Sequence, residues 1–143
     1  MCGIRAPDGS GGDLWCWGFN ENRRLGAGTG TVPLSPTEVA TARDWLRVDL
    51  GLNFACAISA ALELYCWGYN DGFQVSSSTE LDVAIPTASI WPGVQFQILA
   101  TGWAHSCAVT AANTVLCWGN GGVGQLGDGN QAHRTPVPVV SGP

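Results

Sequence analysis

A Cys-Trp-Gly block that returns about every fifty residues, a charged fraction of 12%, and 20 glycines in 143 residues predict an all-β chain. The architecture they predict is a partial β-propeller of about three four-stranded blades. Ordinary soluble domains carry roughly twice that share of charge, so little material is left for surface helices. No 3.6-residue apolar period accompanies the repeat, which sets aside a helical solenoid.

The blocks are Leu14-Trp15-Cys16-Trp17-Gly18, Leu64-Tyr65-Cys66-Trp67-Gly68 and Val115-Leu116-Cys117-Trp118-Gly119. They divide the chain into units 1–40, 41–92 and 93–143. Upstream, Gly51-Leu52-Asn53-Phe54-Ala55-Cys56 matches Gly102-Trp103-Ala104-His105-Ser106-Cys107. The first unit begins at Cys2 within a second strand, so its blade is expected to lack a first strand. The third unit reads as strands at Phe96 to Ala100, Ser106 to Thr110, Val115 to Gly119 and Thr135 to Val140. Pro136 and Pro138 confine the last to a sheet edge, because proline cannot donate to a ladder.

These residues resemble the regulator of chromosome condensation repeat family. Its motif joins Gly-x-x-His, a small-apolar strand, Trp-Gly, and a Gly-Gln-Leu-Gly turn before a proline strand. The third unit carries Gly102, His105, Cys107-Ala108-Val109, Trp118-Gly119, Gly124-Gln125-Leu126-Gly127 and Pro136. The first has Arg23-Arg24 where Gly-Gln is usual, and the second has Phe54 for the histidine and Val75-Ser76 for Leu-Gly. The resemblance implies a propeller of about seven blades, of which this chain supplies fewer than three. The founding member's nucleotide-exchange activity is not carried over, since a fold alone assigns no function.

Each Trp-Gly pair is expected to place bulk between blades beside a residue free to take unusual backbone angles. Recurrence at one position favours packing over sugar binding for Trp17, Trp67 and Trp118. The six cysteines fall into three pairs: Cys2 with Cys16, Cys56 with Cys66, and Cys107 with Cys117. The last two lie ten residues apart across a hairpin, which sets the partners opposite each other, within bridging reach. Zinc is the rival reading, but it needs four converging ligands and no Cys-x-x-Cys occurs. Reduced, buried thiols are a third reading. Disulfides would point to an oxidising compartment, hence an extracellular, cell-surface or periplasmic setting.

Net charge is −5, and Arg23-Arg24 is the only adjacent basic pair, against the basic stripe that nucleic-acid binding requires. No apolar run of about 18 residues predicts membrane insertion, and Met1 to Pro7 lacks the build of a signal peptide. Catalytic groups are few. His105 is expected to hydrogen-bond a turn, and His133 to lie in a polar loop. Ser106 adjoins His105 but points to the opposite face of the strand. The acidic residues form no close pair. Gly127-Asp128-Gly129-Asn130 lacks the oxygen series of a calcium loop, and Gly26-Ala27-Gly28-Thr29-Gly30 has no following lysine or helix. No enzyme, cofactor or metal site is expected.

The expected function is protein recognition through propeller loops, with Phe73, Gln74, Ser77 and Trp91 as candidate contacts. An alternative is a surface assembly in which blades of several chains complete a ring or fibre, or in which this chain is a fragment of a longer propeller. Two copies would supply about six blades. A carbohydrate-binding propeller using Trp91 or Trp103 is a weaker alternative.

Overall fold

The computed structural model describes residues 1–6, 9–28, 32–39, 43–89, 91–129 and 133–139. Among them, strands form three antiparallel sheets. The first holds β1 (Cys2–Arg5), β2 (Asp13–Cys16) and β3 (Thr37–Glu38), with a 3-10 turn at Glu21–Arg23. The second runs β4 (Trp45–Leu50), β5 (Phe54–Ser59), β6 (Leu64–Tyr69), β7 (Asp82–Ala88), and the third β8 (Phe96–Thr101), β9 (His105–Thr110), β10 (Val115–Gly119), β11 (His133–Pro138). Every sheet is a meander in chain order. The proline strand starts at His133, which pairs with Gly119, so His133 belongs to the ladder and not to a preceding loop. Asn130 and Val140 lie outside the described residues, as does Gly30 of the first glycine-rich turn.

Tight turns make these hairpins possible. Leu62 and Asn113 both sit at φ 63°, each closing a turn by an amide bonded to the carbonyl three residues back, at 2.8 and 2.9 Å. Asparagine tolerates this left-handed geometry, whereas Leu62 adopts it at a cost. Across the hairpins the cysteines meet as disulfides Cys2–Cys16, Cys56–Cys66 and Cys107–Cys117, each with Cα atoms 4.1 Å apart. The register sets the partners directly opposite.

The Trp-Gly pairs work as their residue types dictate. Gly18, Gly68 and Gly119 have φ of 96°, 100° and 104°, and a Cβ on Gly68 would fall 2.7 Å from the Asn53 carbonyl oxygen. The ladder to the outer strand slips between Cys66 and Gly68, and again between Cys117 and Gly119. Trp67 and Trp118 therefore each stand at a bulge, the irregularity that re-aims a side chain.

It is aimed at the preceding sheet. The Trp67 indole N–H donates to the Arg24 carbonyl at 2.9 Å, and that of Trp118 to the Gln74 carbonyl at 2.9 Å. Trp67 also lies tilted against Trp45, whose ring meets Tyr65 edge-on at 5.4 Å. On its other face the second sheet sets Cys56 Sγ 3.8 Å from Ser106 Oγ of the third. The core thus fills the gaps between sheets, with Trp45, Phe54, Trp67 and Phe96 almost fully buried.

Candidate functional site

The loop after β6 is built on one side chain. Asn70 is buried; its Oδ1 accepts the amides of Val75 and Ser76, both at 3.0 Å, and its Nδ2 donates to the carbonyls of Ser78 (2.9 Å) and Glu80 (3.1 Å). Serine hydroxyls continue the bracing, Ser76 accepting from the Ser78 amide and Ser78 from the Glu80 amide. Gln74 is 2% exposed; its Oε1 accepts the Gly72 amide and its Nε2 donates to Asp71. Such a short loop with its polar groups satisfied internally is rigid, which favours recognition by lowering the ordering cost of binding.

At the same end of the sheets, exposed side chains of three units are linked. Arg24 stacks its guanidinium over Phe19 at 5.0 Å and donates to the Leu52 carbonyl at 2.7 Å. The Leu52 amide in turn meets the Trp103 carbonyl at 3.4 Å. Phe19, Leu52 and Trp103 are 61%, 50% and 74% exposed. Arg24 thus ties Phe19 to the Leu52 backbone, and a backbone hydrogen bond carries the link on to Trp103, so three exposed apolar residues from three sheets sit on connected segments.

The four expected contact residues do not share a surface. Phe73, Gln74 and Ser77 follow the Tyr69 end of β6. Trp91 lies at the Leu64 end, edge-on to Phe96 at 6.5 Å and beside Glu63 and Tyr65. The six residues of β6 separate the two ends by about 17–20 Å. Gln74 faces inward, so its side chain frames the loop, while Phe73 is half-buried and Ser77 exposed. Phe19 and Leu52 were missed because nothing in their own segments marks them; only the Gly-x-x-Phe/His alignment, which equates Leu52 with Trp103, hints at a shared position.

Other candidates resolve into structure. His105 covers Gly102 as Phe54 covers Gly51. Phenylalanine cannot hydrogen-bond, so this position needs a ring over glycine more than the turn hydrogen bond expected of the histidine. Ser106 is fully buried against Cys56. Among the described residues, no three His, Cys, Asp or Glu side chains are grouped to hold a metal ion, and no helix is long and apolar enough to cross a membrane. Tyr65 has its phenol pKa raised, first by burial and then by its hydrogen bond to Glu63 (2.7 Å), while Arg43 over its ring opposes the rise.

The regulator of chromosome condensation (RCC1) repeat matches residues 11–58 and 97–125. The chain belongs to the RCC1 repeat family. It is 32% identical over 132 residues to the ultraviolet-B receptor UVR8 of Arabidopsis thaliana, covering 90% of this chain and 30% of that protein. It is 29% identical over 136 residues to the human E3 ubiquitin-protein ligase HERC2, covering 87% of this chain and 3% of HERC2. Among solved structures, Prp20p of Saccharomyces cerevisiae superposes with a TM-score of 0.80 at 21% identity, over 91% of this chain and 34% of Prp20p. The fold is therefore a partial RCC1 β-propeller, and the chain spans about a third or less of these relatives.

The RCC1 frame explains an oddity of the second blade. The first glycine of the Gly-Gln-Leu-Gly turn is Gly124 in the third blade, with φ 81°. Its counterparts are Arg23, φ 57°, and Phe73, φ 60°. Both keep the glycine conformation without being glycine, which costs about 1–2 kcal/mol each. Strain of this kind, kept where a free alternative exists, gathers at functional positions.

Proposed function

We propose that this chain is a protein-recognition module that binds through the loop end of its blades. The contact surface is the Phe19–Arg24–Leu52–Trp103 strip together with Phe73 and Ser77, and Gln74 and Asn70 hold the loop in shape. One observation carries the reading: exposed apolar residues from three blades stand on segments linked to one another by Arg24 and a backbone hydrogen bond. Exposed Glu21, Asp71, Glu80 and Asp82 rim that end, so an apolar patch with an acidic border suits a partner with a basic border. Protein binding is also what is described for a structural neighbour, since Prp20p is reported with its binding to Gsp1p and histones. No catalytic step is assigned. The three disulfides favour an oxidising compartment as the working environment.

Proximity capture with the oxidised chain tests the reading. Partners held by the native chain should be lost with Trp103→Ala and with Phe73→Gly, and kept with Trp91→Ala at the opposite end. Retention by both loop-end variants would overturn it. Glycan-array binding that requires Trp91 or Trp103 would favour the carbohydrate alternative instead.

A further inference from the structure

The third blade departs from the asparagine that braces the loops of the first two. Asn20 and Asn70 stand at the same place after the block tryptophan; both are buried, with Oδ1 accepting the Leu25 amide in one and the Val75 and Ser76 amides in the other. That place in the third blade is Gly121, and an asparagine stands one residue earlier, at Asn120. The shift creates the sole Asn-Gly dipeptide of the sequence.

The surroundings of this pair suit attack of the main chain on the side chain. Gly121 has no side chain to hinder its own amide nitrogen as that atom closes on Asn120 Cγ. Asn120 Oδ1 accepts the Gly122 amide at 2.9 Å and Gln125 Nε2 at 3.3 Å. Two donors on this oxygen stabilise the negative charge that develops there when a nucleophile adds, as an oxyanion hole does. Asn120 is exposed to water, and the exposure belongs to its place in the repeat: Phe19, at that place in the first blade, is 61% exposed with a second blade packed after it.

We infer that Asn120-Gly121 is a self-modifying site, at which the chain deamidates itself. The Gly121 nitrogen gives up its proton and bonds to Cγ; the Cγ–Nδ2 bond breaks, and Nδ2 leaves with that proton as ammonia. Water then opens the succinimide at either carbonyl, leaving aspartate or isoaspartate. The new carboxylate stands beside the loop of the second blade, because a Cβ on Gly72 would fall 3.4 Å from Asn120 Cβ. Isoaspartate also lengthens the main chain directly after Gly119, where a Cβ would already lie 3.2 Å from Gln74 Cβ, so the change reaches the seat of Trp118. The reaction needs no partner and is independent of recognition at the loop end.

Ageing the oxidised chain in mildly alkaline buffer, with peptide mass spectrometry and isoaspartate methyltransferase labelling, tests it. Asn120 should convert ahead of Asn20 and Asn70. Gly121→Ala should slow the conversion about 10-fold or more, and Gln125→Ala roughly 3- to 10-fold, less than a buried oxyanion donor because this contact is long and exposed. Thermal unfolding confirms that each variant is folded, and in urea, with the turn lost, the native and Gln125→Ala chains should convert at equal rates. An Asn120 that stays intact, or equal rates for the folded native and Gln125→Ala chains, would overturn the inference.

Discussion

His105 takes the space that a side chain on Gly102 would need: a Cβ there would fall 2.6 Å from the imidazole Nε2. Phe54 and Gly51 repeat the arrangement one blade earlier, with ring Cδ1 2.6 Å from the same imagined atom. Ring and glycine are one device, and the glycine cannot gain a side chain while the ring stands over it. Gly51→Ala should therefore destabilise the chain by about 1–3 kcal/mol through overpacking, read from urea unfolding. His105→Phe should be tolerated, since Phe54 already fills the equivalent place.

Trp118→Phe keeps most of the apolar bulk but leaves the buried Gln74 carbonyl without its indole donor. The expected loss is about 1–3 kcal/mol, the cost of one buried unpaired polar group. Trp67→Phe should behave alike at Arg24. Equal unfolding midpoints for Trp118→Phe and the native chain would mean that the hydrogen bond adds nothing to the joint.

Replacing Cys56 and Cys66 together by alanine opens a loop of about eleven residues and should cost about 3 kcal/mol in the chain-entropy view. Denaturant unfolding measures the cost directly. Mass spectrometry of the unreduced native protein should show all six cysteines paired, two in each blade.

Asn70→Ala removes the acceptor of two amides and the donor to two carbonyls at once. A loss of about 2–3 kcal/mol is expected, with new protease cleavage between residues 71 and 81. Asn70→Asp, which keeps the acceptor oxygens, should fall between the alanine variant and the native chain.

Tyr65 predicts an alkaline limit. Its folded pKa stands above the ordinary phenol value, so the native state holds that proton more tightly than the unfolded chain does. The resulting stability is complete below about pH 10 and is lost as pH rises through the folded value. Tyr65→Phe should flatten this decline in a series of urea unfolding curves at rising pH.

Much of the fold was legible in the residues themselves. The fifty-residue period, the paired cysteines and the Trp-Gly blocks report short-range geometry: strand alternation, hairpin pairing and the freedom of glycine at positive φ. Each depends on a few neighbouring residues, so a linear reading reaches it. The third unit's strands were placed within one or two residues, apart from His133, whose loop-like neighbours Asn130-Gln131-Ala132 hid its pairing with Gly119.

The surface was different. Sequence placed Phe73, Gln74, Ser77 and Trp91 in one stretch, but β7 runs between its two ends, so Trp91 sits at the far end of the blade. It could not show that Gln74 turns inward to brace the loop while its carbonyl receives Trp118 from the next blade. Nor could it join Phe19, Leu52 and Trp103, each more than thirty residues from the next and brought together by the stacking of blades and the reach of Arg24. The composition of the blades was therefore written locally, while the surface they share arises from contacts between distant segments, which only the packed chain specifies.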